Sequence, residues 1–72
     1  MYIEVKSKVT PEGLNEFYME LNRIHLEYKP MLRFGQFMYN FFTWVYEKKL
    51  KDVFYIEEKE MLKLLKEYVG EK

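Results

Sequence analysis

A mainly α fold, a compact three-helix domain with a short N-terminal β-strand, follows from three features of these 72 residues. Two segments carry apolar residues at three- and four-residue steps, a third is apolar around most of a helical barrel, and residues 2–9 alternate with the period of a strand. Cysteine is absent and histidine occurs once, so neither disulfides nor a structural zinc site can brace so small a chain. Dense packing or self-association must do it instead, within a single domain spanning 1–72.

In the N-terminal arm, residues 1–9, Ile3, Val5 and Val9 point to one side and Tyr2, Glu4, Lys6 and Lys8 to the other. Such a strand needs a partner. The other short β-prone run is Val53-Phe54-Tyr55-Ile56, so the arm either forms a two-stranded ribbon with residues 53–56 or pairs across a dimer. Thr10-Pro11-Glu12 marks a helix start, the threonine capping a free N–H and the proline giving up a donor that has no partner there. The first helix, 11–28, has one apolar stripe of Leu14, Phe17, Tyr18, Leu21, Ile24, His25 and Tyr28, and Pro30 ends it. Met19 and Leu26, seven residues apart, share its outer face as either peripheral packing or a small contact patch. A last helix, 57–69, has acidic residues at its start, lysines later and Gly70 placed to stop it.

The segment between them, 31–49, is the unusual one. Arg33, Gln36, Asn40, Thr43 and Glu47 fall on one narrow polar seam, and nearly everything else around the barrel is large and apolar. Phe37 and Trp44 border the seam on one side, Tyr39 and Tyr46 on the other. The segment is too short and too interrupted to span a membrane, which predicts a central helix covered on most sides. Any side left uncovered is an aromatic patch of the kind that marks protein contacts. Gly35 suggests either close approach of another backbone or a turn before the helix begins.

The stretches RIHLEYKPMLRFGQFMYN and DVFYIEEKEMLKLL resemble a pattern in short proteins encoded by bacteriophages and prophages. Those proteins share a helix ending Arg-Ile/Leu-His, a proline, Arg-Phe/Tyr-Gly-Gln, an asparagine four residues on, and Asp-x-Phe-Tyr before a final amphipathic helix. The likeness covers about residues 10–69 and places Arg23, His25, Arg33, Gly35, Gln36, Asn40, Asp52, Phe54 and Tyr55 on the shared positions. Residues 1–9, and the lack of a proline after Asp52, depart from it. The resemblance implies a phage or mobile-element origin and carries no agreed activity.

Twelve basic residues balance twelve acidic ones, so the general field that draws a protein onto nucleic acid is missing. No nucleophile is paired with a base, and His25 is read as a packed, hydrogen-bonded histidine rather than a catalytic one, so an enzyme is not expected. Arg33, Gln36, Asn40, Asp52 and His25 are expected to form a structural polar network, with an Arg33–Asp52 pair joining the start of the middle helix to the loop before the last. The favoured reading is a small protein-binding accessory module acting on a host protein, without cofactor or metal, a homodimer, cytoplasmic, with Trp44, Tyr39, Tyr46, Met19 and Leu26 as contact residues. The alternative is a small helical nucleic-acid-binding regulator, because Arg33, Gln36 and Asn40 are residue types that read base edges.

Overall fold

The computed structural model describes residues 10–71. Three helices dominate: α1 (Pro11–Tyr28), α2 (Phe34–Trp44) and α3 (Glu58–Val69). α2 continues into a π-helical turn, Val45–Lys49, and a short 3-10 turn, Val53–Tyr55, precedes α3. The strand expected in residues 1–9 lies outside the described residues.

α1 begins as its sequence dictates, with Thr10 Oγ1 accepting from the Gly13 N–H at 3.0 Å and Pro11 at the first helical position. Its end is a turn over Lys29-Pro30-Met31-Leu32, closed by the Leu32 N–H donating to the Lys29 carbonyl at 3.1 Å with proline in the second place. That turn uses up residues expected to be helical, so α2 starts at Phe34 rather than at residue 31. Arg33 is its N-cap, and Gln36 Oε1 turns back to accept the Arg33 N–H at 3.0 Å, as the third helical residue does in a capping box.

The expected strand at 53–56 is overturned. Asp52 Oδ1 accepts the Phe54 N–H at 2.9 Å and the Asp52 carbonyl accepts the Tyr55 N–H at 3.1 Å. A short aspartate side chain that captures the backbone two residues on makes a turn, and here it outweighs the β propensity of Val-Phe-Tyr-Ile. Among the described residues there is no strand.

The core gathers Leu21 and Ile24 from α1, Phe37, Phe41 and Val45 from α2 and its π turn, and Leu64 and Leu65 from α3. Tyr68 packs over it, its ring centroid 5.5 Å from that of Phe41 and 5.3 Å from that of Trp44. α3 ends in a Schellman motif: Gly70 takes φ +79°, its N–H donates to the Glu67 carbonyl, and the Glu71 N–H reaches back to the Lys66 carbonyl. This reversal aims Glu71 at α1. Its carboxylate accepts from Arg23 Nη2 at 2.9 Å and from the Tyr28 hydroxyl at 3.0 Å, tying the end of α3 to α1 across 48 and 43 residues of sequence.

Candidate functional site

Of the polar residues singled out in the sequence, His25 has the most defined role. Its Nε2 lies 2.7 Å from the Leu32 carbonyl, and since a carbonyl only accepts, that nitrogen donates. The ring stacks on Phe37 at 4.7 Å, so His25 fastens the turn after α1 to the buried side of α2. Gln36 caps the α2 start and Asp52 caps the 3-10 turn, as described above. Arg33 and Asp52 are both exposed, and no ion pair joins them among the described residues. Asn40 is exposed on the same side of α2 as Gln36. These five residues are not gathered into one network; they are local fasteners and an exposed edge.

Charge is organised elsewhere. Arg23 sits among Glu20 (2.8 Å), Glu27 (2.7 Å) and Glu71 (2.9 Å), and Lys66 approaches Glu20 at 3.6 Å. Hydrogen bonds from Arg23 hold the carboxyls of Glu20 and Glu71 below the usual carboxylate range, and the bond to Glu71 raises the Tyr28 hydroxyl above its ordinary value. Sequence reasoning missed this joint, because Glu71 meets Arg23 only through the chain reversal at Gly70. Lys49 and Lys51 are likewise paired, with Glu67 and Glu60.

What α2 leaves uncovered is aromatic. Phe37, Phe41 and Val45 are wholly enclosed, whereas Tyr39 keeps 72% of its surface, Tyr46 69% and Phe42 37%. At steps of three and four these three rings lie along one side of the helix. Gly35 belongs to the same line, four residues before Tyr39, and a Cβ built on it would have no heavy atom within 4 Å. Neither reading of Gly35 holds: it is the second residue of α2 rather than part of a preceding turn, and among the described residues no other backbone approaches it. Phe34, also largely exposed, flanks the line at the helix start. At the other end, the π turn stops at Leu50, an exposed leucine in the left-handed region at φ +54°. For a leucine this conformation is strained.

The other contact candidates lie apart from this line. Trp44 is half-buried on the opposite border of α2, stacked among Phe41 and Tyr68 with the Lys49 ammonium 5.5 Å from its ring centroid. Its burial makes it chiefly a packing residue. Met19 and Leu26 are exposed on α1, and the Asn15 amide contacts the Met19 sulfur at 3.4 Å. Among the described residues no three His, Asp or Glu side chains gather into a metal-binding group, and no described helix is long and apolar enough to cross a membrane. An open cleft of about 700 Å³ beside α3 is lined largely by lysines and glutamates, including the two pairs above.

Comparison with protein-family models, curated proteins and solved structures finds no match to this chain.

Proposed function

We propose that the protein is a non-enzymatic binding module that acts in the cytoplasm by protein–protein contact, anchored by Tyr39, Phe42 and Tyr46 on the open side of α2. One observation carries this reading: a helix fully enclosed on one side presents three large rings, two of them more than two-thirds exposed, on another. Tyrosine and phenylalanine bring large area to an interface at little cost in rotamer freedom, and contiguous apolar patches on small soluble domains mark contact surfaces. The likeness to phage and prophage proteins makes a host protein the natural target. Trp44, Met19 and Leu26 are outlying contributors.

The test compares partner capture by the immobilised chain with capture by a Tyr39→Glu/Tyr46→Glu double variant. Both positions are exposed, so the variant is expected to keep its helical signal and melting transition while losing the captured partner. Equal capture by both proteins rejects the reading.

A second reading has one observation in its favour, the exposed edge of Arg33, Gln36 and Asn40 on α2. Against it, Lys49 and Lys51 at the far end of that helix are held by glutamates and the formal charge is zero. Titration with duplex and single-stranded DNA at several salt concentrations is expected to show no salt-sensitive binding.

A further inference from the structure

The open side of α2 has a symmetry that suits one occupant. Gly35, Tyr39, Phe42 and Tyr46 follow one another at steps of four, three and four residues, and the steps are the same read from either end. Laid antiparallel against an identical helix about a two-fold axis, the line meets itself in register. Tyr39 then faces Phe42 of the partner subunit, and Gly35 faces Tyr46 of the partner subunit. Large side chains stand opposite small ones where they need to, because the space above Gly35 is open. A parallel pairing sets glycine against glycine and leaves a gap.

Area and charge agree with this. A fully exposed aromatic side chain presents about 200 Å², so Phe34, Tyr39, Phe42 and Tyr46 at 60, 72, 37 and 69% exposure offer about 500 Å² per copy. Two copies bury at most about 950 Å², at the lower edge of specific interfaces, which suits a weak, reversible pairing. None of the four residues carries a charge at neutral pH, so copies meet without like-charge repulsion. The core of each chain is small, a circumstance in which association supplies missing burial. We infer that a second copy of the chain occupies this face, the α2 helices packing antiparallel with Gly35 of each beneath Tyr46 of the partner subunit. The inference rests on the reading of the face as a protein-contact surface and seats a second copy there in place of a host protein.

Light scattering on the full chain at tens of micromolar is expected to give twice 9.0 kDa. Gly35→Glu places its side chain in open space in the single chain, so folding is retained, yet it sets a carboxylate against a partner ring; the concentration for half-dimerisation is expected to rise more than about tenfold. Since the chain has no cysteine, Gly35→Cys and Tyr46→Cys variants provide the register. Mixed, they are expected to cross-link to each other, while Gly35→Cys does not link to itself, the two positions being about 16 Å apart along the helices. A monomer mass, a dimer indifferent to Gly35→Glu, or self-linking of Gly35→Cys overturns the inference. The contact-surface reading is judged separately: a monomer that loses its captured partner on Tyr39→Glu/Tyr46→Glu defeats self-pairing alone, and a monomer that keeps the partner defeats both.

Discussion

Phe37, Phe41 and Val45 are closed in by α1 and α3, whereas Tyr39, Phe42 and Tyr46, on the same stretch of helix, remain open to solvent. Both sets are large and apolar, so residue type alone does not separate them; the number of neighbours does. Two amphipathic helices each offer one apolar stripe, and together they cover only part of a barrel that is apolar nearly all the way round. The enclosed side therefore carries folding free energy and the open side is left for association.

The largest effect is expected on the enclosed side. Phe41→Ala removes a ring that is 1% exposed and in contact with Tyr68 and Trp44, which costs about 3–5 kcal/mol through lost burial and a residual cavity. In a domain whose whole stability is about 5–15 kcal/mol or less, chemical denaturation should show a variant near or past unfolding. The same truncation on the open side, Tyr39→Ala, is expected to change the stability of the dilute chain by no more than about 0.5 kcal/mol. Equal losses at the two positions would erase the distinction.

An intermediate effect belongs to the joint between α1 and α3. The Glu20 and Glu71 carboxyls lie below their free value of 4.5 in the folded chain, so their contribution is present above that value and is lost as pH falls through the lower folded values. Tyr28 lies above its free value of 10.0, so its contribution is present below pH 10 and is lost as pH rises further. Thermal melting followed against pH is expected to fall at both extremes. Arg23→Ala should lower the plateau and flatten the acid limb, modestly, because the cluster is half exposed and screened by solvent. An acid limb identical to that of the parent chain would remove the joint from the account.

The smallest effect is a gain. Gly35 is helical, exposed and, among the described residues, free of neighbours at its would-be Cβ, so Gly35→Ala is expected to stabilise the dilute chain by up to about 1 kcal/mol. A loss, read from the same denaturation curves, would mean that something in the chain does approach this position.

Much of the fold was legible because its signals are local. Thr10-Pro11 and Gly70 mark helix ends through their own backbone chemistry, and the stripe around Leu21 and Ile24 names a buried face by spacing alone. The reading failed where a side chain overrode propensity, as Asp52 does over residues 53–56, and where a proline turn delayed α2 to Phe34. It also misassigned Arg33, whose expected partner Asp52 spends its carboxylate on the Phe54 N–H. The Arg23–Glu71 contact was out of reach, since it depends on where the chain turns after α3. For the site, spacing placed Tyr39 and Tyr46 on one border of α2 and Trp44 on the other, but only the packing of Tyr68 and Lys49 distinguishes the half-buried tryptophan from the open tyrosines.

The central claim is that the Tyr39–Tyr46 side of α2 is left bare by the described residues of the single chain and covered in use. Nitration of the tyrosines, resolved by site and followed against protein concentration, tests it directly. Tyr55, 72% exposed on the cleft beside α3, is the open reference, and Tyr68, packed among Phe41 and Trp44, the closed one. In dilute solution Tyr39 and Tyr46 are expected to react as fast as Tyr55, and at tens of micromolar to slow while Tyr55 does not. If instead Tyr39 and Tyr46 react as slowly as Tyr68 at every concentration, the face is interior to the single chain and the account is contradicted.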